Sequence, residues 1–160
     1  MVCTAGEPLE LPFLADITPA VANGFFQTRF IGALSAVRVF GPRLRSGGSI
    51  TLTSGTAAWK PGYGALPSSL CGAMNALTTA LAVELAPIRV NAVAPGMIHT
   101  PIWDAIPEAD LRALHDREVQ RIPLARIGKV DDAACAYVYC MEQTFSTGTV
   151  ITVEDGSLLV

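Results

Sequence analysis

Two strand ends and the loop between them hold the side chains of this sequence that could do chemistry. Ser49-Ile50-Thr51-Leu52-Thr53-Ser54 alternates and is β-branched, the pattern of a strand, and it delivers the Ser54 hydroxyl at its carboxyl end. Ile88 to Ala94 reads as a second, buried strand. Pro95-Gly96 breaks it, and Ile98 and Thr100 follow, so a hydroxyl and backbone amides come just after its end. Ligands of open parallel sheets lie beyond the carboxyl ends of the strands, which makes these two ends the place to expect a site. A hydroxyl there can polarise a carbonyl oxygen, but a proton donor of suitable pKa must come from another residue. Tyr63, with Lys60 close before it in the loop after Ser54, is one candidate, and Cys71, near a helix start that could depress a thiol pKa, is another. Both residue types also serve packing alone.

The run Asn91-Ala92-Val93-Ala94-Pro95-Gly96, followed by Ile98 and Thr100-Pro101, resembles the sixth strand and nicotinamide loop of the short-chain dehydrogenase/reductase family. Cys3-Thr4-Ala5-Gly6 stands where that family has an Asn-Asn-Ala-Gly run under the cofactor, and Thr147 to Gly156 resembles its last strand and terminal Asp-Gly turn. The resemblance covers nearly the whole chain. It implies an α/β fold, a partial Rossmann-like three-layer sandwich of about four parallel strands with helices on both faces. It also implies NAD or NADP as cofactor, contacted by Ala5, Gly6, Pro95, Gly96, Ile98 and Thr100, a small-molecule carbonyl or alcohol as substrate, and a homo-oligomer.

Several features of the family are missing. No Gly-x-x-x-Gly-x-Gly precedes a helix, so the chain reads as one domain, residues 1–160, lacking the N-terminal dinucleotide-binding strands, and the adenosine end of the cofactor has no home in it. Thirteen residues on from Ser54, where the family has its tyrosine, stands Pro67, and the lysine position one turn later is Cys71. The helix asparagine that supports that lysine aligns with Arg29, which reads as a solvated or interface charge. The expectation is therefore an oxidoreductase homologue with a degenerate site, Ser54 being the catalytic position retained. A non-catalytic binding or assembly subunit of the same descent is the alternative.

Composition narrows the remaining possibilities. Of 160 residues 51% are hydrophobic and 16% charged, enough apolar material for one core, and a formal net charge of −3 without charge runs gives no footprint for nucleic acid or an anionic membrane surface. No basic-then-apolar leader is seen, and a cytoplasmic protein is expected. Cys3, Cys71, Cys135 and Cys140 have no metal-ligand spacing and read as buried small hydrophobes.

The elements that must position the site follow in order. Glu7 to Ile17 reads as a loop. Thr18-Pro19 starts a helix that runs to about Leu44 with Val21, Phe26, Phe30, Leu34, Val37 and Leu44 inward, its last turns kinked at Gly41-Pro42. A second helix spans about Pro67 to Ala86, with Leu70, Met74, Leu77, Leu81 and Leu85 as its stripe and Ala73, Ala76 and Ala80 beside it, a small face for its own sheet or for a partner helix. Pro101 to Gln120 should hold one or two short helices over the site, with Leu111, Leu114 and Val119 inward, and Asp131-Asp132 should open a last helix burying Ala133, Ala136, Val138 and Met141. Since the pyrophosphate cradle and the ribose-binding acid of the family are missing from the sequence, NADH and NADPH should bind this chain weakly, and titration calorimetry with each checks it.

Overall fold

Three parallel strands, β1 (Ser49–Thr53), β2 (Arg89–Pro95) and β3 (Val150–Val153), lie side by side in that order. The computed structural model describes residues 1–7 and 11–160. Residues 8–10 of the expected Glu7–Ile17 loop fall outside that description. Register is continuous from Ser49 opposite Arg89 to Thr53 opposite Val93, and from Ala92 opposite Val150 to Pro95 opposite Val153. Of the four strands expected, the first is reduced to a single parallel bridge, Val2 to Thr51, whose backbone bonds are Cys3 N–H to the Thr51 carbonyl and Thr51 N–H to that of Met1, each 2.9 Å. The segment from Thr4 to Gly6 leaves the sheet and is exposed.

Strand alternation divides the chain into two cores. On one face Ile50, Leu52, Val90 and Ala92, all fully buried, meet Leu70, Met74 and Leu81 of α3 (Ala65–Glu84) with Phe25 and Val37 behind them. Each such Leu or Ile contributes about 1.5–3 kcal/mol by leaving water. On the other face Val93 packs on Ala136 and Cys140 of α5 (Val130–Glu142). With helices on both faces, β2 is buried along nearly its whole length, which is why its sequence is continuously apolar around two polar residues.

Those two polar residues are satisfied locally. Arg89 donates to the carbonyls of Cys140, 3.0 Å, and Met141, 3.1 Å, placing its charge on the negative end of the α5 dipole. Asn91 donates to the Ser146 carbonyl and accepts from Thr149 N–H, tying β2 to the chain entering β3. At the other end of α5, Asp132 accepts from Lys129 N–H, 2.7 Å, and pairs with Arg126, which together hold its carboxyl down at about 2.

The first helical region departs from the expected pattern. It comprises α1 (Pro19–Phe26), a π-helical stretch over Gln27–Gly32, and α2 (Ala33–Phe40), closed by a 3-10 turn at Gly41–Arg43 where Gly41-Pro42 was expected to distort it. Thr18 caps it, its hydroxyl accepting from Val21 N–H at 3.3 Å. The wider π turn shifts the helical phase, so Phe25, Ala33 and Val37 are the buried positions and Leu34, expected inside, is 38% exposed. Helix α3 starts at Ala65, two residues before Pro67, after Gly64 at φ +101°, a conformation glycine adopts without strain. By length and composition α3 could cross a membrane, but its stripe of Leu66, Leu70, Met74 and Leu81 is spent on the sheet. Its small residues Ala76 and Ala80 are exposed.

Two corrections concern α5 and the thiols. Val138 and Met141 are exposed, because the turn that puts Ala133, Ala136 and Cys140 on the sheet leaves them on the outer side, and Cys135 is exposed for the same reason. In α4 (Glu108–Val119) no residue is fully buried, and Leu111, Leu114 and Val119 are half-buried along the inward side as expected. Replacing Met74 by Ala should destabilise the fold by about 2–5 kcal/mol, whereas Val83→Ala on the exposed side of the same helix should change it by less than about 0.5 kcal/mol; urea unfolding of both variants measures the difference.

Candidate functional site

A cavity of about 740 Å³ opens beyond the carboxyl ends of β1 and β2. Of the positions singled out in the sequence, Gly6, Ser54, Tyr63, Pro95, Gly96, Ile98 and Thr100 all line it, as do Pro67 and Cys71. Ala5 does not: the chain has left the sheet by then, and its side chain is exposed. The loop after β2 is fixed by its neighbours. Gly96 N–H bonds the Val153 carbonyl, and a Cβ at Gly96 would stand 2.7 Å from Glu154 Cβ, so the close approach of the loop to β3 requires glycine. Further on, the Trp103 indole donates to the Ile98 carbonyl at 2.8 Å, closing the 3-10 turn Pro101–Trp103 over the cavity mouth.

Ser54 is buried and turned into α3. Its hydroxyl reaches Asn75 Oδ1 at 2.6 Å and the Cys71 carbonyl at 3.1 Å, and its one proton is taken up between them. Only its lone pairs remain for a ligand. Beside it, the Thr53 hydroxyl donates to the Cys3 carbonyl, 2.7 Å, so it accepts from the Tyr137 hydroxyl, also 2.7 Å. Burial pushes the Tyr137 phenol up.

The two candidate proton donors behave differently from what their neighbours in sequence suggest. Lys60 Nζ sits 5.8 Å over the Tyr63 ring and 3.7 Å from Glu118, an inward side chain of α4. Tyr63 is nevertheless raised above the usual phenol value, first by burial and then by the carboxylates of Glu118 and Asp155. Cys71 is likewise raised, not depressed. Its second-turn position is buried, and burial outweighs the neighbouring Arg29.

Arg29 is the residue the sequence misplaced. It was expected as a solvated or interface charge, yet its side chain is 15% exposed, lines the cavity, and pairs with Glu7 at 2.9 Å, while Nη1 lies 3.9 Å from Cys71 Sγ. The π turn at 27–32 carries it there. Its lone charge amid Phe25, Phe26, Phe30 and Ile31 was the available signal, since a cation inside an apolar run needs a partner; nothing in the sequence pointed to Glu7.

These residues can be tested against the nicotinamide cofactor that the resemblance implies. The volume and the apolar wall from Pro95 to Ile98 fit the nicotinamide end of such a molecule.

Comparison with known proteins agrees with this geometry. The family described as Enoyl-(Acyl carrier protein) reductase matches residues 3–157. The short-chain dehydrogenase/reductase malC of Malbranchea aurantiaca is 33% identical over 163 residues, covering 99% of this chain and 61% of its own length. The 2,3-dihydroxy-2,3-dihydro-p-cumate dehydrogenase of Pseudomonas putida is 33% identical over 168 residues, 100% of this chain and 64% of its own. The chain thus spans less than two thirds of either curated relative. Among solved structures, a small-chain dehydrogenase in complex with NADPH superposes with TM-score 0.92 at 35% identity, covering 99% of this chain and 73% of the other. An NADPH-bound short chain oxidoreductase from Pseudomonas aeruginosa PAO1 containing an atypical catalytic center gives 0.85 at 28% identity, over 97% and 63%.

The raised phenol of Tyr63 makes stability depend on alkaline pH. Below the ordinary phenol value near 10 both folded and unfolded chains hold the proton, and the contribution is complete; above it the unfolded chain ionises first, so stability falls as pH rises toward the folded value. Tyr63→Phe should therefore lose less stability than the parent between about pH 9 and pH 11. Urea midpoints at the two pH values check this.

Proposed function

The chain belongs to the short-chain dehydrogenase/reductase family, and we propose that it is an NAD(P)-binding oxidoreductase homologue whose proton-transfer machinery is degenerate, so that this chain alone turns over simple carbonyls poorly. The observation that carries the binding half of this reading is the convergence of Gly6, Ser54, Pro95, Gly96, Ile98 and Thr100 on one cavity. A nicotinamide cofactor, when bound, supplies or accepts the hydride. Pro95, Gly96, Ile98 and Thr100 hold its reactive end, Ser54 offers a lone pair to a substrate hydroxyl, and the apolar wall keeps water away. Binding by these residues is weak because no Gly-x-x-x-Gly-x-Gly turn that would take the pyrophosphate is among them, and a cytoplasmic setting suits the unpaired cysteines.

General acid–base help is worth about 10²- to 10⁴-fold and requires a group of matched pKa near the substrate oxygen. Pro67 supplies no such group, the Cys71 and Tyr63 protons are held too tightly by burial, and the Ser54 proton is engaged with α3. That engagement favours a second reading, a non-catalytic binding or assembly subunit that keeps the cavity and has lost the chemistry.

NADPH and NADH titrations, followed by steady-state reduction of simple ketones and aldehydes, separate these readings. Detectable cofactor binding with slow turnover supports the degenerate oxidoreductase; binding without turnover supports the second reading. Fast turnover that survives Ser54→Ala and disappears in Tyr63→Phe would overturn both and place the acid in the loop.

A further inference from the structure

Among the described residues α4 gives none to the cavity wall, yet two of its side chains reach the loops that do. Glu118 pairs at 3.7 Å with Lys60, in the loop after β1, and both side chains are largely buried. Lys60 Nζ is itself buried and makes no hydrogen bond, so this carboxylate is the counter-charge it rests on. The same ammonium stands 5.8 Å over the Tyr63 ring, and Tyr63 N–H donates to the Lys60 carbonyl at 3.3 Å, which ties Lys60 to a residue of the wall. Three residues before Glu118, and so on the same side of α4, the His115 ring meets that of His99 edge to face at 6.1 Å. His99 lies in the loop after β2, between Ile98 and Thr100 of the wall, with its N–H held by the Gly128 carbonyl at 2.9 Å.

From this arrangement we infer that Glu118 and His115 are positioning residues, and that α4 is a brace which fixes the two site loops relative to each other from outside the cavity. The inference rests on reading the cavity as the ligand site. Among the described residues no backbone hydrogen bond joins residues 56–64 to residues 96–100, so the loops do not fix one another. A helix with no fully buried residue has little hold of its own, and α4 takes its place from these two contacts and from the half-buried Leu111, Leu114 and Val119. Because one rigid element carries both contacts, cutting either lets the helix shift and slackens the other loop as well. Tyr63 on one loop and Ile98 and Thr100 on the other are thereby kept at a set separation, and the ligand that fits depends on residues that never touch it.

Amide hydrogen exchange of the full chain without ligand, followed residue by residue by NMR, tests the brace. Lys60→Met keeps the stem and removes the charge. It should speed exchange on the order of fivefold at Tyr63 and Gly64 and also, through α4, at His99, while Val90 and Ala92 in β2 keep their parent rates. Lys60→Arg, which retains the cation, should bring His99 back toward the parent rate. His115→Ala should act in the opposite direction, speeding Tyr63 and Gly64 although it touches neither. A response confined in either variant to the loop whose contact is cut would overturn the inference, as would an equal rise at Val90 and Ala92, which marks a general loss of stability. Because no ligand enters the measurement, absence of NADPH binding refutes the cofactor reading alone, and exchange that fails to cross from one loop to the other refutes this inference alone.

Discussion

Burial of β2 on both faces is the constraint on which the rest depends. A strand with no solvent-facing side must satisfy every polar group from within the protein, and it can meet a ligand only at its end. Arg89 and Asn91 are therefore explained without any ligand: one closes the carboxyl end of α5 and the other ties down the chain before β3. What remains for chemistry is Pro95 onward, where the sheet stops and the loop is held to β3 by Gly96.

The same constraint sets the geometry around Ser54. Because β1 ends beside β2, its last hydroxyl falls under the first turns of α3, whose carbonyl and asparagine take up its proton. Arg29 reaches the Cys71 thiol beside it from a different helix. A lysine at 71 would bring a second cation toward Arg29, so positions 29 and 71 have to be considered together.

Strand periodicity made β1 and β2, and the Pro95-Gly96 break made the loop, readable from local sequence, because each depends on residues near in the chain. Local signals failed where a distant partner decides the outcome. The π turn at 27–32 rephased the helix, exchanging Leu34 for Phe25 and Ala33 in the core, and it brought Arg29 inward. The helix-start argument for Cys71 omitted the burial imposed by the sheet, and Lys60 beside Tyr63 was read without Glu118, which lies far on in the sequence and meets Lys60 only after folding. Of the site, the strand-end loop and Ser54 were legible, and the charged pair was not.

Helices α4 and α5 are anchored by different contacts. The docking of α5 relies on Arg89 buried against backbone carbonyls, a contact that mobile ions cannot reach. Inward contacts of α4 are half-buried side chains and the Lys60–Glu118 pair, whose side chains are 20% and 15% exposed, so only Arg121, 50% exposed at its rim, is open to ionic screening. Among the described residues α4 lends none to the cavity wall, whereas α5 supplies Val130, Ala133, Ala134 and Tyr137. Salt therefore has little hold on either attachment, and the cavity should keep its shape at ionic strengths that would dissolve an exposed ion pair.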